Sequence, residues 1–212
     1  METKKQISSY IIESQEEEIK RIAMELHEGV GQNLYSILTG LQFIENGMAD
    51  SGMKSYVREM ELLIEKTIQE IRLLSVELHP PSLTTLGLFP AIKSYLKLYT
   101  STFGILVDLE SHGTERTTTP QQNIAVFRVC QEALMNIAKY ADTSTAEMNI
   151  FWKEKELSIA IHDFGKGFNP EEQAHTLGIP GMKERMFLIG GQCVISSKIG
   201  EGTTIEISLP LA

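Results

Sequence analysis

Apolar side chains recur at helical spacing through the early part of the chain. The pattern is helical over residues 7–46, and from residue 19 to residue 48 apolar residues fall three or four apart, which is the period of one face of an α-helix. A turn-rich stretch follows at residues 46–52, and a second helical pattern covers residues 57–78, where two consecutive prolines end it. Two helices joined by a short turn form an antiparallel hairpin. Residues 1–80 are therefore predicted to be a helical hairpin.

The first predicted helix carries a continuous apolar stripe. Its members are Ile19, Ile22, Leu26, Val30, Leu34, Ile37, Leu41, Ile44 and Met48. A lone hairpin cannot cover such a stripe, whereas two copies can bury it in a four-helix bundle, so we expect a homodimer. His27 lies one residue, about 100°, round the helix from Leu26. It therefore flanks the predicted core and is expected to be accessible.

After residue 80 the pattern changes to a mixture of helices and strands. The predicted elements are helices at 88–103 and 120–139 and strands at 104–109, 146–152, 157–161, 192–197 and 203–209. Residues 81–212 are therefore expected to form an α+β sandwich, with helices on one face of a mixed sheet. A polar loop without periodicity at residues 168–178 has the length of a lid over a site.

Composition narrows the classes of function. The formal net charge of the 212 residues is −9, so the chain would repel nucleic acid, and direct nucleic-acid binding is not expected. No apolar run reaches the ~20 residues that span a bilayer, and no basic run suggests a membrane surface, so no membrane contact is expected. Cys130 and Cys193 stand beside apolar residues and are predicted to be buried, inert thiols. These observations favour a location in the cytoplasm.

Three polar residues of the helix that begins at Pro120 share one face. Glu132, Asn136 and Lys139 are three or four residues apart and therefore project together. An acid, an amide and an ammonium group suit Mg²⁺ and phosphate oxygens, because Mg²⁺ takes few protein ligands and completes its shell with oxygens of the substrate. An ordinary solvated polar face explains the same pattern.

The segment Asp163-Phe-Gly-Lys-Gly-Phe168 follows a predicted strand. Gly165 and Gly167 let the backbone approach a flat ligand, and the carboxylate of Asp163 can accept the exocyclic amine of a base. A strand-ending turn is the alternative interpretation.

Two further glycine motifs lie downstream. In the first, Gly178-Ile-Pro-Gly181 leads straight into a helix, whose N–H groups and positive dipole end favour phosphate. Gly178 and Gly181 are also candidate hinges for the loop before them. In the second, Gly200-Glu-Gly202-Thr203 enters the last strand and offers N–H and hydroxyl donors, although a hairpin turn explains it equally well.

Together the four motifs resemble the N, G1, G2 and G3 boxes of the ATP-binding domain shared by gyrase, the Hsp90 chaperones, histidine kinases and MutL, over roughly residues 86–212. The resemblance implies that Asn136 holds Mg²⁺, that Glu132 supports catalysis and that Asp163 binds the adenine amine of ATP. The residues implied beside the base are Gly165 and Gly167, and those implied at the phosphate side and the lid are Gly178, Gly181 and Thr203.

Residues 21–34, RIAMELHEGVGQNL, look like the phosphoacceptor box of histidine kinases, in the subgroup of bacterial nitrate sensors and desaturase thermosensors. Residues 78–88 are similar to that subgroup's link between domains, so the resemblance spans about residues 15–212. It implies that His27 is phosphorylated, that Glu28 acts as the base and that Gln32 places a water to dephosphorylate a response regulator. Regulators served by this subgroup carry a helix-turn-helix output domain.

The chain departs from the family pattern at two positions. Glu28 stands where the subgroup usually has Asp, which keeps a carboxylate beside His27 but changes its geometry. Tyr140 stands where the family usually has His after Lys139, which affects a lid or phosphate contact rather than the nucleotide site.

These expectations describe the cytoplasmic catalytic part of a sensor histidine kinase that passes its phosphoryl group to a response-regulator aspartate. Two alternatives stay open. One is a serine kinase of the kind that phosphorylates anti-sigma-factor antagonists, and the other is a non-catalytic dimer that binds nucleotide as a conformational switch. No input domain is evident, so the chain is expected to be a fragment or to have its sensor elsewhere. Tethering of a full-length protein to a membrane is left open.

Overall fold

The computed structural model describes residues 2–48, 50–79, 83, 86–169 and 178–211. The chain forms two compact units, Met1–Pro81 and Ser82–Ala212. The first is helical, and the second combines helices with a sheet. Most of the predicted lid lies outside the described residues. Within them, no helix has the length and apolar character needed to cross a membrane.

The helical unit is a hairpin of long helices. α1 spans Glu2–Met24, a π-helical turn spans Glu25–Val30, and α2 continues over Gly31–Gly47. α3 spans Ser51–Leu78 and begins where the side chain of Asp50 accepts the backbone N–H of Met53 at 2.9 Å. The predicted hairpin is confirmed, with one difference. A π-helical turn interrupts what the periodicity predicts as a single α-helix.

Side-chain contacts join the arms of the hairpin. Arg58 Nε donates to Glu45 Oε1 at 2.6 Å, and the guanidinium carbon of Arg72 lies 5.2 Å from the centroid of the Tyr35 ring. Such surface contacts stabilise a fold by about 1 kcal/mol or less, so apolar burial carries more of the free energy. Among the described residues of this unit, the buried apolar side chains are Ala23, Leu38, Val57 and Ile68.

Part of the predicted apolar stripe is exposed in a single copy. Val30, Ile37 and Ile44 are 39%, 51% and 49% exposed, and they recur every seven residues along one side of the helix. On α3, Tyr56 and Leu63 are exposed with the same spacing. One hairpin therefore presents a heptad-spaced apolar face to its surroundings.

In the described part of the second unit, five strands form one mixed sheet in the order β1-β2-β3-β5-β4. The strands are β1 (Leu106–Gly113), β2 (Thr145–Trp152), β3 (Glu156–Asp163), β4 (Gln192–Lys198) and β5 (Gly202–Pro210). β1 runs parallel to β2, and the other neighbouring strands are antiparallel. The helices are α4 (Leu88–Phe103), α5 (Pro120–Asn136) and α6 (Gly178–Leu188).

Alternating burial along the strands shows which face of the sheet the helices cover. On β3 every second side chain is buried, and the same alternation runs along β2. The buried members on β3 are Leu157, Ile159, Ile161 and Asp163. The apolar ones share a single core with side chains of α4, α5 and α6. The predicted α+β sandwich is confirmed.

Two elements end differently from their predictions. α5 begins at Pro120 as predicted, and Thr119 and Gln122 form a reciprocal capping box at its start. A second π-helical turn, Ile137–Ala141, replaces its last predicted residues. β1 begins two residues later than the predicted strand and ends four residues later, at Gly113, and it pairs with β2 along its whole length.

Candidate active site

A cavity of about 640 Å³ opens in the second unit between α5, the start of α6 and the ends of β3 and β5. Pockets of ~300–1,000 Å³ typically hold small ligands or cofactors. The predicted site residues that line it are Glu132, Asn136, Lys139, Asp163, Gly167, Gly178 and Thr203. The structure therefore brings residues of all four sequence motifs to one cavity.

α5 supplies one wall of the cavity. Glu132 and Asn136 stand one helical turn apart, and both are half-buried. The backbone of Gly178 lies against them, because a Cβ there would collide with Glu132 Oε1 and come within 3.5 Å of Asn136 Nδ2. A side chain at position 178 would therefore displace the Glu132 carboxylate, which is the end of a flexible side chain. Lys139 follows in the π-helical turn and is exposed.

Asp163 provides a buried carboxylate at the end of β3. It is 4% exposed, and its Oδ1 accepts the backbone N–H of Gly165 at 2.9 Å. Its second oxygen keeps lone pairs for a ligand in the cavity. Burial, and after it the charge of Asp163, raises the pKa of Tyr99 to about 12. That phenol therefore stays protonated, and it donates to the carbonyl oxygen of Leu134 at 2.9 Å.

Close contact between backbones explains the glycines after Asp163. A Cβ on Gly165 would collide with the backbone of Ala141, and one on Gly167, whose φ is +59°, would collide with the backbone at the end of β4. Gly202 likewise lies against the carbonyl of Asp163. The predicted flanking of a flat base by Gly165 and Gly167 stays a prediction, and only Gly167 of the pair lines the described cavity.

Thr203 lies beside Asp163. The two residues are directly opposite in the antiparallel pair of β3 and β5, and directly opposite side chains point to the same face of a sheet. The sequence motif predicts that Thr203 lies at the phosphate side of a nucleotide. Its pairing with Asp163 instead favours a position for Thr203 at the base, where Asp163 would accept the amine.

Other lining residues were not predicted from the motifs. Lys166, Phe168 and Met182 line the cavity. So do Ile161 and Ile205, which stand two residues from Asp163 and Thr203 respectively, so strand alternation could have identified them. Gly181, a predicted site residue, is exposed on α6 and does not line the described cavity.

In the helical unit, His27 is exposed, and so are Glu28 and Gln32. His27 and Glu28 lie in the π-helical turn, where the backbone N–H of Gly31 donates to the carbonyl oxygen of Leu26, five residues earlier. Gln32 lies just after this turn, at the start of α2, four residues from Glu28 and five from His27.

Two family models match the chain. Residues 18–83 match the model described as histidine kinase, and residues 121–212 match the model described as histidine kinase-, DNA gyrase B-, and HSP90-like ATPase. The chain is 34% identical over 205 residues to the signal transduction histidine-protein kinase/phosphatase DegS of Brevibacillus brevis. It is 33% identical over 202 residues to the oxygen sensor histidine kinase NreB of Staphylococcus carnosus (strain TM300). The chain belongs to the histidine kinases.

This histidine kinase chain spans about half the length of these relatives. The aligned regions cover 95% of the chain and 53% of DegS, and 94% of the chain and 58% of NreB. The second unit is an ATP-binding unit of the matched ATPase type.

Solved structures agree with the histidine kinase fold. The histidine kinase domain from the blue-light activated histidine kinase of Erythrobacter litoralis EL346 has a TM-score of 0.54 at 12% identity, covering 85% of this chain and 94% of that chain. A longer structure of the blue-light activated kinase has a TM-score of 0.52 at 14% identity, covering 84% of this chain and 60% of that one.

Proposed function

We propose that the chain is an ATP-dependent protein-histidine kinase that phosphorylates its own His27 and passes the phosphoryl group to a response regulator. One observation carries the proposal: a cavity of nucleotide size gathers Glu132, Asn136 and Asp163 in the unit that matches the ATPase model. The exposure of His27, in the segment that matches the other histidine kinase model, supports it.

Each polar group of the cavity has a role in binding ATP. Asp163 would accept the exocyclic amine of adenine, and Lys139 would contact phosphate. Asn136 would hold Mg²⁺ jointly with the phosphate oxygens, where the cation offsets their charge. The donor set fits such an ion, because the amide oxygen of Asn136 and the carboxylate of Glu132 are oxygen ligands of the kind that Mg²⁺ takes. Glu132, on the same wall, would support catalysis.

In the transfer step, Nε2 of His27 attacks the γ-phosphorus in line with the bond to the leaving ADP. An N–P bond forms, the P–O bond to ADP breaks, and the carboxylate of Glu28 accepts the ring proton. Such transfers depend chiefly on positioning and electrostatics. An exposed histidine held within a long helix meets this requirement, because it is both accessible and fixed in direction.

An aspartate of the response regulator would then take the phosphoryl group, and we propose that the regulator carries a helix-turn-helix output domain. In the reverse role, Gln32 would place a water against the phosphorylated regulator. The relative DegS is named as both a kinase and a phosphatase, which supports the dual role. We propose that these reactions take place in the cytoplasm.

A second copy of the chain would cover the exposed apolar face of the hairpin. Val30, Ile37 and Ile44 would then be buried in a four-helix bundle with Tyr56 and Leu63. We therefore propose a homodimer. An Ile37→Glu variant would place a charge in that bundle, so it should be monomeric by light scattering where the parent is dimeric.

Incubation of the chain with γ-labelled ATP tests the proposed activity. An acid-labile label indicates phosphohistidine, an acid-stable label indicates a serine kinase, and no label indicates a nucleotide-binding switch. His27→Ala should remove the label while nucleotide affinity stays near that of the parent. His112→Ala is the matched control, because His112 is also exposed but lies on β1. Full labelling of His27→Ala would mean that another residue is the acceptor.

A further inference from the structure

The hydroxyl group of Ser197, on β4, joins three backbone and side-chain groups at the edge of the cavity. Its Oγ accepts the backbone N–H of Phe168 at 2.9 Å and donates to the carbonyl oxygen of Gly202 at 2.9 Å. The same Oγ lies 3.0 Å from Oγ1 of Thr203. Phe168 and Thr203 line the cavity, so Ser197 connects the loop after β3 with the start of β5.

The hydrogen count of a hydroxyl determines the direction of these bonds. Serine has one O–H hydrogen and two acceptor lone pairs. The carbonyl oxygen of Gly202 can only accept, so it takes the hydrogen of Ser197. Thr203 must then donate its own hydrogen to Ser197, which leaves the Thr203 oxygen with lone pairs directed away from that bond.

The neighbour of Thr203 is also an acceptor. Asp163 stands directly opposite Thr203 across β3 and β5, and an ionised carboxylate has no hydrogen to donate. A ligand that offers a donor at this place satisfies both side chains, whereas one that offers an acceptor leaves buried lone pairs unmatched. Adenine has an amine where guanine has a carbonyl oxygen.

We propose that Ser197 is a positioning residue that helps to set the base selectivity of this site. By taking the hydrogen of Thr203, it keeps Thr203 and Asp163 both as acceptors, which favours adenine over guanine nucleotides. Ser197 acts through Thr203 and not by contact with the base. The inference rests on the proposed nucleotide function of the cavity.

The test is titration of the full chain with ADP and with GDP. In Ser197→Ala the Thr203 hydroxyl is free to rotate and donate to the guanine carbonyl, so the ratio of the GDP to the ADP dissociation constant should fall about fivefold, the effect of one neutral hydrogen bond. Ser196→Ala is the matched control and should keep the parent ratio, because Ser196 is exposed on the other face of the sheet. A parental ratio in Ser197→Ala overturns the inference.

A second set of variants separates this role from a general effect on folding. Ser197→Thr keeps a hydroxyl and should keep the parent ratio. Thr203→Val removes the hydroxyl that Ser197 orients, so adding Ser197→Ala to Thr203→Val should not change the ratio further. An equal effect of Ser197→Ala in both backgrounds would overturn the inference, since the serine would then act independently of Thr203. A parent chain that bound neither nucleotide would instead overturn the proposed function.

Discussion

Ala23 and Gly31 are consecutive buried positions on one face of the helical hairpin, although they are eight positions apart in the sequence. Before and after this pair, the buried positions on that face are seven residues apart, from Glu16 to Ala23 and from Gly31 to Leu38. The π-helical turn Glu25–Val30 accommodates the additional residue, because its hydrogen bonds span five residues instead of four. The proposed phosphoacceptor lies within that turn, so its direction depends on one inserted residue.

Deletion of Gly29 should remove the π-helical turn and leave the hairpin folded. The buried positions before and after the turn would then follow one seven-residue repeat, so their packing is kept. His27 would change its direction, and misplacement of a reacting group by about 1 Å can lower a rate by about 100-fold, so we expect autophosphorylation to fall at least tenfold. Thermal unfolding followed by circular dichroism and labelling with ATP measure the two effects.

Deletion of Lys20 is the control for this experiment. Lys20 is exposed in α1, and its removal would rotate Glu16 and Ile19 away from the buried face. This variant should therefore unfold at a lower temperature than the parent. Parental labelling after deletion of Gly29 would show that the turn has no part in presenting His27.

The periodicity of the sequence predicted the hairpin correctly but could not show the π-helical turn. Apolar residues remain three or four positions apart through the turn, so Val30 belongs to the predicted stripe. The inserted residue moves the inward position to Gly31, which is buried, and leaves Val30 39% exposed. A glycine gives no hydrophobic signal, so the pattern contained no evidence of the shift.

The motifs of the candidate site were predictable because each is local in sequence. Asp163 and its glycines lie within a few residues of one another, as do Glu132 and Asn136. The contact of Gly178 with Glu132 and the bonds of Ser197 join distant segments. They depend on how α6 meets α5 and on the register of β4 against β5, which local spacing does not determine.

Asp163→Asn should weaken nucleotide binding without unfolding the second unit. The amide keeps an oxygen that can accept the Gly165 N–H, but it replaces a charged acceptor for the adenine amine. A hydrogen bond that involves a charged group contributes about 1.5–3 kcal/mol, so calorimetric titration with ADP should show a loss of about 10- to 100-fold. Asp108→Asn, at an exposed position on β1, is the control. Parental affinity in Asp163→Asn would place the base elsewhere.

Gly178→Ala should displace the carboxylate of Glu132 and lower the stability of the second unit only slightly. Its Cβ would collide with Glu132 Oε1, but that oxygen ends a flexible, half-buried side chain that can move aside, so the cost should lie near the low end of overpacking, about 1 kcal/mol of the free energy of unfolding. Gly181→Ala is the contrast, because a Cβ there meets nothing within 4 Å, so the stability of that variant should equal or exceed the parent's. Urea unfolding measures both. A loss of more than about 3 kcal/mol would show that the Glu132 carboxylate cannot move aside.

The second unit should lose stability at alkaline pH through its buried thiols. Burial, and after it the proximity of Cys193, raises the pKa of Cys130 from 9.0 to about 12. The unfolded thiol ionises from about pH 9, whereas the folded thiol stays protonated. The contribution of Cys130 to the free energy of unfolding is therefore complete below pH 9 and is lost as the pH rises towards 12. One such group gives a slope of about 1.4 kcal/mol per pH unit.

Urea unfolding of the parent and of Cys130→Ala between pH 8 and about pH 11 would measure this slope. Removal of the thiol lowers stability at every pH because it leaves a cavity, so the slope and not the absolute stability is the readout. Burial also raises the pKa of Cys193, to about 11, so part of the slope should remain. An identical slope in both proteins would mean that Cys130 ionises as readily in the folded chain as in the unfolded one.

Glu28 and Gln32 should divide the two proposed reactions of the helical unit between them. Glu28 is the direct neighbour of His27 within the π-helical turn, whereas Gln32 lies five residues after His27, in α2. Glu28→Ala should therefore lose most autophosphorylation, whereas Gln32→Ala should keep it and lose the ability to dephosphorylate the regulator. The reason is chemical, because a neutral amide can hydrogen-bond a water but is a poor proton acceptor, which suits hydrolysis and not activation of a nucleophile.

The measurement is the decay of a purified, phosphorylated regulator with and without each variant. Asn33→Ala is the matched control, because Asn33 is also an exposed amide but lies about 100° round the helix from Gln32. Decay with Asn33→Ala should match the parent's, and decay with Gln32→Ala should match that of the regulator alone. If Gln32→Ala accelerated decay as well as the parent does, Gln32 would be an ordinary polar surface residue, and the water would have to be placed by another group near His27.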